Sequence, residues 1–268
     1  MSYQSEYQLE QKLLSSLTKK HKYKYVKIKN EKELEANFRE QLNELNIKNL
    51  NNKPLTDKEF ERVLIYLKGK SIFQSAKQLR DKYSLQRDNG EFVYIKFIDF
   101  EVPSNNIFQV SNQITMRGKY ENRYDVTILI NGLPIVQIEL KRRGMHIKRA
   151  FDQICRYARH SYKGLFRYLQ ILVISNGVDT KYFANTDKPY KYDFTFFWTD
   201  EKNKRITTLC DFTDAFLNQS HLLKMLDTYT ILNDTEKTMM IMRPYQVYAV
   251  KNLVKVATET ANGGYIWH

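Results

Sequence analysis

Cysteine is nearly absent from this 268-residue chain: Cys155 and Cys210 are the only two. Two thiols can build neither a disulfide framework nor a zinc cluster, so a reducing compartment is expected. Long uncharged apolar runs are missing as well. No stretch reaches the roughly 20 residues that a membrane-spanning helix needs. The N-terminal MSYQSEYQLEQ has no apolar signal-peptide core, and a cytoplasmic protein is expected. A third absence is the phosphate-cradling G-x-x-x-x-G-K-[ST] loop, which occurs nowhere. ATP hydrolysis by these residues is therefore not expected.

What the chain does have is positive charge. Lys and Arg number 43 against 30 Asp and Glu, a formal net charge of +13, and 42% of the residues are hydrophobic. The length and apolar content allow a sizeable core in one large domain, or one domain plus part of another. The charge argues for a polyanionic partner, with nucleic acid favoured over a membrane surface. It is also concentrated. From Lys141 to Lys163, the cations Lys141, Arg142, Arg143, Lys148, Arg149, Arg156, Arg159 and Lys163 stand against Asp152 alone. This segment reads as a surface that holds phosphates without regard to sequence.

Just before that segment lie two apolar runs, Asp125 to Ile130 and Ile135 to Leu140, around Asn131-Gly132. Asn-Gly between alternating hydrophobics predicts a β-hairpin. Alternation places Gln137, Glu139 and Lys141 on one face of the second strand and Val136, Ile138 and Leu140 on the other. Whether Asp125 meets Glu139 depends on the loop. A regular two-residue turn would send the two acids to opposite faces, whereas a three-residue loop or a bulge would set them across from each other. Pro134 cannot donate to the ladder, so a three-residue loop or a bulge is expected. Two converging carboxylates and a lysine suit Mg²⁺ acting on a phosphodiester, since this cation takes oxygen ligands and commonly borrows one or two carboxylates. A helix is predicted over about residues 147–160, with Gln153 and Tyr157 one turn apart on the same face.

The ordered set Asp125, Glu139-x-Lys141 and Gln153-x-x-x-Tyr157 resembles the PD-(D/E)xK nuclease signature of the RecB-like type. The surrounding YDVTILINGLPIVQIELKRRG is similar to the N-terminal nuclease domain of the type I restriction enzyme R subunit. Tyr124 stands where the motif's name has proline. The resemblance implies that Asp125 and Glu139 bind Mg²⁺, that Lys141 assists the water or the phosphate, and that Gln153 and Tyr157 orient DNA or the lysine. It also implies double-stranded DNA as substrate and modification and specificity subunits as partners. A glutamate on the first helix lies near the metal in such nucleases, and Glu6 or Glu10 could take that part. The alternative is a non-catalytic DNA-binding or docking module that keeps the fold.

Elsewhere the pattern predicts a helix opening at Ser5, a strand over 21–29 and three helices over 31–49, 56–69 and 71–83. Those three helices are read as a helical insertion, 31–83. Strands follow at 92–100, 107–116, 168–177, 182–184 and 194–198, then short helices at 211–216 and 221–226. The expected fold class is α/β, a restriction-endonuclease-like core with a mixed central sheet flanked by helices. Residues 1–230 would form the nuclease domain. Residues 231–268 would be a polar linker and the start of a further domain: from Met242, MRPYQVYAVKNLVKVATETANGGYIWH resembles the opening of a superfamily 2 helicase motor, cut before its P-loop. That resemblance implies that Arg243 and Gln246 serve adenine of ATP.

Overall fold

The computed structural model describes residues 4–117 and 121–259. In chain order the helices are α1 (Glu6–Ser15), α2 (Glu31–Leu45), α3 (Asp57–Leu67), α4 (Ile72–Gln78), α5 (Lys148–His160), α6 (Leu209–Phe216), α7 (Gln219–Asp227) and α8 (Pro244–Glu259). The strands are β1 (Lys24–Tyr25), β2 (Lys82–Gln86), β3 (Phe92–Lys96), β4 (Phe108–Arg117), β5 (Glu121–Ile130), β6 (Leu133–Leu140), β7 (Ile171–Ser175), β8 (Thr180–Ala184), β9 (Trp198–Thr199), β10 (Arg205–Ile206), β11 (Thr230–Asn233) and β12 (Thr238–Ile241).

Six of them form one mixed sheet in the order β1-β4-β5-β6-β7-β8. The pairs β1–β4 and β6–β7 are parallel and the other neighbours antiparallel. Every residue of β6 and β7 is buried, which requires cover on both faces of the sheet. Helix α5 packs on β6 and β7, and α1 packs on β6 and α6. The α/β class with a mixed, helix-flanked sheet is therefore what the sequence pattern led one to expect. Helix starts follow from capping chemistry: Ser5, Thr56 and Ser71 form capping boxes with Gln8, Glu59 and Gln74.

The segment read as a helical insertion supplies part of the main core. Leu34, Phe38 and Leu42 of α2 are fully buried, and the Asn37 and Gln109 side-chain amides exchange two hydrogen bonds of 3.0 Å, locking α2 to β4. The insertion is not wholly helical. The helix expected over 71–83 ends at Gln78, because Lys82–Gln86 pairs antiparallel with Phe92–Lys96 across a turn that holds Gly90 at φ +88°. The strand expected over 92–100 thus joins this separate hairpin instead of the central sheet. Tyr83 stacks on Tyr66 of α3 at 4.0 Å, so the aromatic contact fixes β2 where helical periodicity had suggested a turn of helix. The strand expected over 21–29 shortens to β1 at the sheet edge, where Lys22 sits at φ +62° and breaks the extended backbone.

Residues Asn233 to Glu236, read as a polar linker, lie in the turn of the β11–β12 hairpin. That hairpin is tied back by Tyr182 Oη donating to the Met242 carbonyl at 3.0 Å. The strand expected to begin at Gly263 lies outside the described residues.

The β5–β6 turn decides where the acids go. Asn131 and Gly132, at φ +50° and +80°, form a two-residue turn that pairs Ile130 with Leu133 and Leu129 with Pro134. Ile128 then pairs with Val136, so Ile135 is an extra residue. The bulge next to proline restores the odd parity. Val126 faces Ile138, which brings Asp125 opposite Glu139. A Cβ added to Gly132 would lie 2.6 Å from the Phe38 Cα. Gly132→Ala is expected to cost about 2–4 kcal/mol from backbone strain and overpacking, read as a lower urea midpoint. Gly69→Ala, at φ +70° with open space around it, should cost clearly less.

Candidate active site

Two distortions of the sheet converge on Asp125. On one side is the β6 bulge at Ile135. On the other, β4 pairs Asn112 with Val126 and Ile114 with Tyr124 in unbroken register, so Gln113 stands opposite Asp125 with its own backbone out of the ladder at φ +58°. A non-glycine residue in the left-handed region costs of the order of 1–3 kcal/mol and is held there only by its surroundings. Here the hold is Glu10 on α1, which accepts from Asn112 Nδ2 at 2.7 Å and from Gln113 Nε2. Glu10 is buried, and Glu6, one turn earlier, accepts from the Arg142 backbone N–H at 3.3 Å. Both N-terminal glutamates thus border the site.

Asp125 Oδ2 accepts from the Leu140 N–H at 2.8 Å. Lys141 Nζ donates to Glu139 Oε1 at 3.0 Å and to the Leu140 carbonyl at 2.9 Å, and the Lys141 N–H is anchored on the Ser175 carbonyl of β7. The three residues that the sequence singled out therefore meet. Glu139 is completely buried, and its Oε2 has no hydrogen-bond partner among the described residues. Burial, then the neighbouring Asp125 carboxylate, push the Glu139 carboxyl well above its ordinary range, and Lys141 offsets this only in part. Burial also raises Asp125, with Glu10 and Glu6 adding repulsion against the help of the Leu140 N–H and Lys141.

Gln153 and Tyr157 come together with each other: Gln153 Nε2 donates to Tyr157 Oη, which donates to the Arg123 carbonyl at 3.0 Å. Their contacts fasten α5 to the start of β5, and Lys141 is held by other groups. Tyr124, in the position that the motif's name gives to proline, buries its ring edge-on against Tyr157 and Phe166, and its hydroxyl donates to Ser161 Oγ at 2.7 Å. The side chain points into this aromatic cluster and leaves the Asp125 carboxylate free to face β6. Arg142, Arg143, Lys148, Arg149 and Arg156 are all exposed, and Arg149 and Arg156 lie two turns apart with Gln153 between them. Asn112 and Gln113 were not singled out from the sequence. The signal was present as three consecutive polar residues, Ser111-Asn112-Gln113, interrupting a strand in which apolar and polar residues otherwise alternate.

At the other end of the chain, Gln246 Oε1 accepts from the Arg243 N–H at 2.9 Å, and the Arg243 guanidinium lies over the Phe196 ring at 4.6 Å. Both line a cavity of about 710 Å³ between β8, β12 and the start of α8. Among the described residues, no three His, Cys, Asp or Glu side chains gather to hold a metal ion. The donor set at the hairpin is thus the pair Asp125 and Glu139. Two hard oxygen donors, one of them orphaned, with both groups destabilised as anions, fit a divalent cation that keeps several waters.

A mixed sheet carrying an acid pair and a lysine at a bulged hairpin, with an amphipathic helix laid across it, defines the restriction-endonuclease-like class of fold. The family described as "Type I restriction enzyme R protein N terminus" matches residues 3–191, and the chain belongs to that family. It is 52% identical over its whole length to the type I restriction enzyme SsaAORF53P endonuclease subunit of Staphylococcus saprophyticus, spanning 29% of that protein. It is 41% identical over 264 residues to the type I restriction enzyme EcoprrI endonuclease subunit of Escherichia coli, covering 94% of this chain and 82% of that one. A more distant relative, the putative type I restriction enzyme MjaIXP endonuclease subunit of Methanocaldococcus jannaschii, is 29% identical over 220 residues.

The raised Glu139 carboxyl gives a signed expectation. Between the ordinary glutamate range and the raised value, the folded protein binds more protons than the unfolded chain. The group's contribution to stability is therefore complete at low pH and is lost as pH rises through the raised value. Glu139→Gln, which mimics the protonated acid, should melt higher than the wild type near neutral pH in metal-free buffer, with the difference vanishing at about pH 4. Thermal denaturation across that pH range checks this; a difference that does not change with pH would contradict it.

Proposed function

We propose that this chain is the nuclease portion of a type I restriction endonuclease subunit, which hydrolyses phosphodiester bonds of double-stranded DNA with Mg²⁺ held by Asp125 and Glu139. The observation that carries this reading is the buried, partnerless Glu139 Oε2 beside a second carboxylate and a lysine. Two carboxyls raised by burial, Glu139 also by the Asp125 carboxylate beside it, are relieved by taking up either a proton or a cation. When bound, Mg²⁺ would polarise the scissile phosphate and make a coordinated water more acidic.

The chain's own residues supply the rest. Lys141, held by Glu139 Oε1 and the Leu140 carbonyl, places a fixed positive charge where charge builds on the phosphate during attack. The Leu140 N–H fixes one Asp125 oxygen, leaving the other for the cation. Tyr157 and Gln153 brace α5 against β5, which fixes the register of the helix whose Arg149 and Arg156 would run along the DNA backbone with Arg142, Arg143 and Lys148. Such contacts set position and affinity but read no bases, so target choice is assigned to the specificity subunit and methylation to the modification subunit. Arg243 and Gln246 would belong to the opening of a motor whose ATP site needs further residues, with residues 231–268 as its first part and 1–230 as the nuclease domain.

Metal binding separates this reading from that of a docking module with merely structural acids. Mn²⁺ should bind the chain in calorimetric titration. Asp125→Asn and Glu139→Gln should each weaken it by about tenfold or more, because loss of even an outer-sphere partner costs about 10–100-fold. In the assembled restriction complex the same changes should abolish DNA cleavage, and Lys141→Ala should slow it by about 10²–10³. Unchanged Mn²⁺ affinity in both acid variants would leave the docking reading standing.

Neutralising Arg142, Arg143 and Arg149 together should weaken DNA binding. The slope of log K against log salt should become shallower by about 2–3, at roughly 0.9 per phosphate contact. An unchanged slope would reject this surface.

A further inference from the structure

The ladder between β4 and β5 pairs the residues from Phe108 to Arg117 with their opposite numbers except at Gln113, which stands across from Asp125. On the other edge of β5, pairing with β6 ends at Val126 and Ile138, and the Leu140 N–H goes to the Asp125 carboxylate. Asp125 therefore sits where regular pairing lapses on both sides. Its setting depends on side chains.

Two local costs fall on Gln113. Its backbone is left-handed at φ +58°, a conformation that few residues other than glycine adopt, and its Oε1 is buried with no hydrogen-bond partner among the described residues. Both accompany a single contact, the donation from Gln113 Nε2 to Glu10 Oε2. Glu10 Oε1 accepts from the neighbouring Asn112 Nδ2 at 2.7 Å, and Asn112 Oδ1 accepts in turn from Tyr25 Oη of β1 at 2.9 Å. Successive strand residues ordinarily point to opposite faces. Two adjacent amides reach one carboxylate here because the backbone is turned at the second of them. What the turn delivers is a fixed Glu10, only 5% exposed on α1, whose negative charge reaches Asp125 and helps to raise it.

We propose that Gln113 is a positioning residue of the acid pair: its amide, set by the left-handed backbone, holds the Glu10 carboxylate beside Asp125, so that Glu10 adds negative charge where a divalent cation is received. This rests on the reading of Asp125 and Glu139 as a cation site. In this role Gln113 touches neither the cation nor DNA and acts through Glu10. Hydrogen-bonded partners of this kind orient the groups around a metal, and losing one weakens binding by about 10–100-fold.

Substitutions at position 113 separate the amide from the strain. Gln113→Ala loses the amide and keeps the left-handed backbone, whereas Gln113→Gly loses the amide and relieves the backbone, since glycine adopts positive φ readily. Gln113→Gly should therefore melt higher than Gln113→Ala, yet both should bind Mn²⁺ about tenfold more weakly than the wild-type chain in calorimetric titration. Gln113→Asn, which keeps an amide and tolerates the left-handed region, should regain part of that affinity. Glu10→Gln should weaken Mn²⁺ binding by a similar factor, and adding Gln113→Gly to it should change the affinity by less than about twofold, because the two side chains act as one unit. Wild-type affinity in Gln113→Gly would make the residue purely structural and overturn the proposal, as would losses that multiply in full in the double variant. Asp125→Asn tests the cation site itself: if it leaves Mn²⁺ affinity unchanged, or if the wild type binds none, that site falls and the positioning role with it. Weakened binding in Asp125→Asn together with wild-type binding in Gln113→Gly and Gln113→Ala would overturn the positioning role alone.

Discussion

Bringing two carboxylates face to face in a fully covered sheet is the constraint around which this structure is arranged. Removing either charge from water is costly, and placing them beside each other adds repulsion. The fold answers locally with a backbone N–H on Asp125 and a lysine on Glu139, and these are not enough, since both acids remain raised. The imbalance is itself informative. Two carboxyls short of positive charge in the interior leave Glu139 Oε2 without a hydrogen-bond partner among the described residues.

Support for that meeting comes from elements distant in sequence. Helix α1 reaches the site through Glu10, which secures the left-handed Gln113 opposite Asp125. Helix α2 presses its backbone on Gly132 and so fixes the hairpin turn from behind. Helix α5 closes the far side through an aromatic cluster in which Tyr124, immediately before Asp125, packs on Tyr157, Tyr162 and Phe166. The bulge at Ile135 and the strained Gln113 are local costs carried by tertiary contacts. Helix α5 has two polar flanks, one beside the acids and the other lining a cavity at Tyr162, so a single amphipathic element presents positive charge on both sides of its buried face.

Much of this was legible residue by residue. Asn131-Gly132 announced the hairpin, Pro134 argued against a regular register, and the Gln153 to Tyr157 spacing placed both on one helix face. Each of these rests on local chemistry: positive φ, a missing N–H and a 3.6-residue repeat. Where the reading went astray, the cause was tertiary. Tyr83 looked like the end of a helix because its apolar spacing suits one, yet stacking on Tyr66 made it a strand. The run at Phe92 carried the alternation of a strand truthfully, but alternation names no partner, and it paired with β2. Asn112 and Gln113 escaped notice because nothing in their neighbourhood says that a helix a hundred residues earlier will place a glutamate on them.

The sequence alone determined which residues had the chemistry to form a site, and that a hairpin would carry them, because side-chain identity and turn geometry are properties of short segments. Only the tertiary structure decided that the acids share a face, since one inserted residue at Ile135 reverses the parity of all that follows. It alone left Glu139 and Tyr162 with buried oxygens lacking partners among the described residues, because burial and pairing are set by every element that packs around an atom.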